Sequence, residues 1–167
     1  MLYLLDANVL IDANRDYYPI SRVPEFWDWL VHIGENDLAK IPLEIYEEIK
    51  DGKDDFTNWA RTNATETALL FTEEVVESLV ARVIDEGYAD DLADDEIEKI
   101  GRDPFLVAYA LVAPSERCVV TTEVSKPRRQ RANRHLPDVC QKFGIETYNT
   151  FGFVRNLDFS TSWHSSE

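Results

Sequence analysis

Residues 2–8 read Leu-Tyr-Leu-Leu-Asp-Ala-Asn. Four apolar or aromatic residues end abruptly in Asp6, and a helical pattern follows at once. Such a run predicts a buried first strand that delivers a carboxylate to the C-terminal edge of a sheet, where open α/β folds place their ligands. A carboxylate there either caps the turn or begins a metal or phosphate site. Asn8, two residues on, is placed to bond across the same turn and hold it.

The remaining pattern alternates strands with helices. Further strands are expected over 38–41, 118–121 and 145–148. Helices are expected over 8–14, over 25–33 (opened by Pro24 and closed by Gly34), and over 42–50, 54–63 and 66–86. Two more follow over 104–112 and 137–143, the last stopped by Gly144. The acidic stretch 90–98 reads as a solvated loop or helix face, and 125–136 as a basic loop. Alternation of this kind predicts an α/β fold, a three-layer α/β/α sandwich around a mostly parallel sheet. Residues 1–159 would form one domain, and 160–167 a polar tail open to disorder. At 167 residues and 44% hydrophobic, the chain suits a single core.

Several function classes are disfavoured. No apolar run reaches the roughly 18 residues a membrane span needs. Met1 runs straight into the first strand, leaving no room for a signal peptide. Cys118 and Cys140 read as two buried thiols, not a disulfide or metal pair, which fits a reducing cytoplasm. Three histidines offer no zinc cluster. The net charge of −15 argues against broad, nonspecific nucleic-acid binding. The charge is uneven, however: eight acids fall within 85–98, while Lys126, Arg128, Arg129, Arg131 and Arg134 cluster without an acid among them. One basic patch on an acidic protein is a local anion site or a solvated loop balancing the acids.

Four acids are placed to meet at one sheet edge, and each has an ordinary alternative. Asp6 can cap. Glu48, the acid of 42–50 nearest the face marked by Ile45 and Ile49, can lean into solvent. Asp103 before Pro104 reads as an N-cap with Pro at N1. Glu123 follows an apolar strand, where Thr121 and Thr122 could orient it or a water. Together they are harder to dismiss, because four crowded carboxylates repel unless a divalent cation neutralises them. Oxygen ligands favour Mg²⁺ or Mn²⁺ over zinc.

Leu-Leu-Asp-Ala-Asn-Val-Leu-Ile at residues 4–11 resembles the opening of PIN domains, the nuclease fold of VapC-type toxins. Ile41-Pro42 with Glu48-Ile49 is similar to their second motif, although Pro42 stands where a small hydroxyl residue is usual. The segment Asp103-Pro104-Phe105-Leu106-Val107-Ala108-Tyr109-Ala110 resembles the third. Val119-Val120-Thr121-Thr122-Glu123 is similar to the fourth, with Glu123 where Asp is commoner. The resemblance runs from Met1 to about Leu157. Tyr17-Tyr18-Pro19, Phe26-Trp27-Asp28-Trp29, Asp55-Phe56 with Trp59, and Pro137-Asp138-Val139-Cys140 narrow it to a subfamily carrying the label DUF4411.

The resemblance implies a metal-dependent ribonuclease, the toxin of a toxin–antitoxin pair, with an antitoxin partner and a homodimer as further implications. Asp6, Glu48, Asp103 and Glu123 would hold one or two Mg²⁺ or Mn²⁺ ions, with Asn8 and Thr121 orienting ligands behind them. Lys126, Arg128, Arg129, Arg131 and Arg134 would contact RNA phosphates. Tyr17, Tyr18 and Trp27 would stack on bases or belong to the core, and the acids of 85–98 are placed to mask the basic run. Two other readings stay open. A haloacid-dehalogenase-type phosphatase also begins with an acid after strand one but needs a second acid where Asn8 stands. A noncatalytic PIN-like interaction module would suit a degenerate fourth position.

Overall fold

Strand β1 (Leu2–Leu5) lies at the centre of a five-stranded parallel sheet in this computed structural model, which describes residues 1–166, with side chains through His164. Glu167, part of the expected tail, lies outside the described residues. Leu4 and Leu5 are fully buried because both faces of β1 are covered, and a strand in that position shows no polar alternation. β1 pairs with β2 (Ala39–Pro42) on one side and β4 (Arg117–Val120) on the other, with Tyr3 opposite Ala39 and Leu5 opposite Val120. β3 (Leu70–Phe71) adds beyond β2, and β5 (Thr147–Tyr148) beyond β4, giving the order β3-β2-β1-β4-β5. The chain therefore moves outward on one side of β1 and returns to the other. The point between the C-terminal ends of β1 and β4 is the topological switch, where such sheets open a crevice.

Helices cover both faces, in a three-layer α/β/α arrangement. On one side lie α2 (Pro24–Glu35), α5 (Asn63–Leu69) and α10 (Thr150–Asn156). Aromatic rings bind this layer to the sheet: Phe153 lies 5.4 Å from Tyr3 and 5.6 Å from Trp29. On the other side lie α6 (Glu77–Arg82), α8 (Asp103–Leu111) and α9 (Leu136–Lys142). α8 buries Leu106, Val107, Ala108 and Ala110, and so carries no polar face. α1 (Ala7–Asp12) and α3 (Leu43–Lys50) follow β1 and β2 and pack on each other, and α4 (Asp55–Ala60) packs on α3. Cys118 and Cys140 are buried free thiols, as expected. Among the described residues, no helix is long and apolar enough to cross a membrane.

Some elements depart from the sequence expectations. The helix expected over 66–86 is interrupted: α5 ends at Leu69, β3 pairs with Ile41 and Pro42, and helix resumes only at Glu77. The apolar run there is an edge strand, not one helical stripe. Gly34 does not close α2 but lies inside it. A Cβ at that position would meet Leu69 Cδ2 at 2.7 Å and the Ala68 carbonyl oxygen at 2.8 Å, so glycine permits the close crossing of α2 over α5. The acidic segment, for which both a loop and a helix face were open, forms α7 (Asp94–Ile100) in part. Within 160–166, Trp163 begins a short 3₁₀ turn and donates its indole N–H to the Glu25 carbonyl at 3.0 Å.

Candidate functional site

Asp6 sits at the switch point because β1 ends there. Its backbone N–H still donates to the Val120 carbonyl at 3.0 Å, which locks the residue beside the end of β4. The side chain is only 6% exposed, yet it makes no capping bond to α1. One carboxylate oxygen, Oδ2, accepts from the Thr121 hydroxyl at 2.9 Å. Thr121 is itself buried, and its Oγ1 accepts the Glu123 N–H at 3.1 Å, so one hydroxyl ties the β1 carboxylate to the turn after β4. Asn8 is exposed, and among the described residues its side chain makes no bond to Asp6. It does not hold the carboxylate in the way its spacing suggested.

Asp103, half-buried, approaches the same end of the sheet from the helix layer that contains α8. It is the first residue of α8 rather than its cap, and the helix has no side-chain cap bond. The capping alternative therefore does not account for it. Burial pushes the Asp103 carboxyl up to about 8, with the charges of Asp6, Glu123 and Glu48 adding to the rise. Asp6 is pushed up to about 6, first by burial. The Thr121 hydroxyl and the Asn8 backbone N–H oppose that shift, and the charges of Glu123 and Glu48 reinforce it. The charges of Glu48 and Glu123 thus reach both aspartates, which places the four acids in one neighbourhood at this end of the sheet. No lysine, arginine or histidine among the described residues pairs with Asp6 or Asp103. Arg102, next in the chain, sends its guanidinium away to the Glu44 carbonyl and to the Glu47 carboxylate, 3.5 Å off, and so fastens the start of α8 to α3.

The other two acids are held differently. Glu48 is exposed on α3, and Glu44 is the more buried acid of that helix, with its Oε2 enclosed and unpartnered. The expected ranking of those acids is thus reversed. Glu123 is half-buried, and its Oε2 accepts the Leu136 N–H at 2.7 Å at the start of α9. Its extra methylene, compared with an Asp, lets it reach that helix. His135 Nδ1 lies 3.6 Å from the same oxygen, and sequence reasoning had not singled it out. Nor had it found Tyr88, whose buried hydroxyl lies near enough to Asp103 to lower its pKa slightly but makes no hydrogen bond of ordinary geometry. No motif pointed to either residue; only tertiary proximity does. As the side chains lie, no three or more Asp, Glu, His or Cys residues among the described residues form a group ready to hold one ion.

The basic run divides in two. Arg131 is clamped by Glu96, at 2.9 and 2.7 Å, and by Asp91, and Arg134 donates to the Gly87 and Asp138 carbonyls. Both are structural ties, not free phosphate contacts. Lys126, Arg128 and Arg129 remain exposed, and Arg129 lines a cleft with Asp103, Glu123, Lys99 and His135. The loop that carries them is anchored by Asp138, 5% exposed, whose carboxylate accepts the Ser125 hydroxyl and the Lys126 N–H, the latter at 2.7 Å. Of the three aromatics considered for base stacking, Trp27 is buried and Tyr18 stacks on Phe26 at 4.4 Å, which places both in the core; Tyr17 is exposed.

No curated protein and no solved structure matches this chain. Residues 3–161 match the family model described as a domain of unknown function, DUF4411, and the chain belongs to that family.

Proposed function

We propose that the chain is a divalent-metal-dependent endoribonuclease with a PIN-like site, acting as the toxin of a type II toxin–antitoxin pair. One observation carries this reading: Asp6 at the end of β1 and Asp103 at the start of α8 lie close enough for their charges to act on each other, and among the described residues no protein cation pairs with either one. Carboxylates drawn out of water without a compensating positive charge are costly, and a bound cation removes that cost. The donors are all oxygens, which fits Mg²⁺ or Mn²⁺. Asp6 and Asp103 would hold the ion, with the exposed Glu48 and the half-buried Glu123 turning toward it. When bound, the ion would supply Lewis acidity toward a water and a phosphoryl oxygen.

The chain's own residues have separable tasks in this reading. Thr121 fixes one oxygen of Asp6 and leaves the other for a ligand or water. Arg129, beside Asp103 and Glu123, receives a phosphate, with Lys126 and Arg128 extending the contact along the strand. Asn8 carries no transferable proton, so a haloacid-dehalogenase-type phosphatase has no general acid here. A noncatalytic PIN-like module is the second reading, favoured by the commitment of one Glu123 oxygen to α9 and by the lack of a preformed three-ligand group.

Cleavage of structured RNAs with and without Mn²⁺ or Mg²⁺ separates the two. A nuclease cuts only with metal and loses activity in Asp6→Asn and Asp103→Asn variants that remain folded. Wild-type cutting by both variants, or no Mn²⁺ binding by calorimetry at millimolar concentration, would reject the nuclease reading. Growth arrest on expression, relieved by a partner, tests the toxin role.

A further inference from the structure

A second cleft, of about 390 Å³, opens beside the carboxylates on the β4–β5 side. Its walls come from the turn after β4 (122–125), from the start of α10 (149–151), and from Tyr17 at the end of the helical segment that follows β1. Its volume falls in the range of small-ligand sites, roughly 300–1,000 Å³. Thr121 and Glu123 line it as well, so it abuts the carboxylate site directly.

Three features give it a chemistry of its own. Tyr17 and Phe151 stay 44% and 49% exposed at its mouth, with rings 5.0 Å apart and nearly edge-on. Thr150, 3% exposed, lines the cleft and has a buried hydroxyl without a partner. Among the described residues no lysine, arginine or histidine lines it, whereas the cleft containing Asp103 has Lys99, Arg129, Arg134 and His135. Phosphate is therefore favoured on one side of Glu123, and an uncharged aromatic ring with hydrogen-bonding edges on the other.

We infer that this cleft receives an unpaired nucleobase of the RNA, adjacent to the cleaved phosphate, against the rings of Tyr17 and Phe151. The assignment of RNA rests on the ribonuclease reading. A paired base has both faces stacked and its edge occupied, so the cleft selects single-stranded over duplex RNA.

The test pairs two readouts. Adenosine and uridine monophosphates are titrated into the full chain while the backbone amides of Thr122, Asn149 and Phe151 are followed by NMR. Cleavage of a single-stranded RNA and of its duplex is measured with Mn²⁺. The expected result is saturable shifts at those amides, weakened about tenfold or more in Tyr17→Ala and Phe151→Ala and retained in Tyr17→Phe, as loss of one base–aromatic stack implies. Cleavage of the single strand should lose a similar factor through KM, with kcat little changed. Both rings are exposed, so the variants should fold. If nucleotides leave the amides unmoved, as they would were the cleft a seat for a protein segment, or if both alanine variants cut single strands with the wild-type KM, the inference is overturned. If the wild type cuts no RNA but nucleotides still fill the cleft, the ribonuclease reading fails and the base site stands.

Discussion

Two regions near the C-terminal edge of the sheet bury a carboxylate almost equally, and the molecule treats them in opposite ways. Asp138 is 5% exposed and Asp6 6%. Asp138 faces a backbone N–H and a hydroxyl, both aimed at it, and it pins the loop carrying Lys126, Arg128 and Arg129. Asp6 has the Thr121 hydroxyl and the Asn8 backbone N–H against burial and the charges of nearby acids, and its pKa is still driven up to about 6; that of Asp103 rises to about 8. A carboxylate that supports structure is surrounded by donors. One surrounded by other carboxylates destabilises the fold on its own and is suited to a cation.

The largest effect expected from this contrast is on activity. Asp6→Asn and Asp103→Asn should each reduce Mn²⁺-dependent RNA cleavage by about a hundredfold or more, while circular dichroism stays native. Asp138→Asn should leave the metal-dependence of cleavage intact, because it acts on the loop and not on the ion. Equal losses from all three would erase the distinction between the regions.

The next effect is on stability, and its sign differs between the two. Asp138→Ala removes two hydrogen bonds to a buried carboxylate and should destabilise by about 3 kcal/mol in a denaturant titration. Asp103→Asn should stabilise the metal-free protein at pH 8 by on the order of 2 kcal/mol or more. The sign follows from linkage. A carboxyl whose folded pKa is raised keeps its proton in the native state while the unfolded chain has released it. Between about pH 4 and pH 8 the native state thus binds more protons, and stability falls as pH rises. The gap between variant and wild type should be small below pH 4, widen through that window and level off above pH 8. A gap of constant size across pH would contradict the assigned cause.

The smallest effect belongs to the arginines. Arg128→Gln and Arg129→Gln should each lower the salt dependence of RNA binding, by about 0.7 in log–log slope for a single strand. Arg131→Gln should leave the slope nearly unchanged and lower stability slightly, since its partners Asp91 and Glu96 already occupy it.

The same contrast explains what the sequence made legible. β1 and β4 are short apolar runs ending in polar residues, and that signal survives folding because both strands are central and buried. Asp6 and Glu123 could be placed from it, and Asp103 from the Pro104 that follows it, as each stands next to an element end. β3 was hidden because two residues carry no period and their apolar run merged with that of α5. Gly34 looked like a stop because sequence cannot show that α5 crosses there. Within α3, a periodicity argument ranked Glu48 as the most buried acid, but the start of α8 comes down on Glu44 instead, through Arg102. The division of the basic run was equally invisible. Arg131 and Arg134 differ from Arg128 and Arg129 only in what lies opposite them, and Asp91 and Glu96 are some forty residues away in the chain.

The most direct test is the thermal midpoint at pH 8 with and without millimolar Mn²⁺, for wild type and Asp103→Asn. A ligand bound by the native state alone raises the midpoint in proportion to its binding free energy. If the carboxylates at the switch point form a cation site, Mn²⁺ should raise the wild-type midpoint by several degrees and leave Asp103→Asn, already stabilised without metal, nearly unmoved. A wild-type midpoint indifferent to Mn²⁺, or an equal rise in the variant, would contradict it.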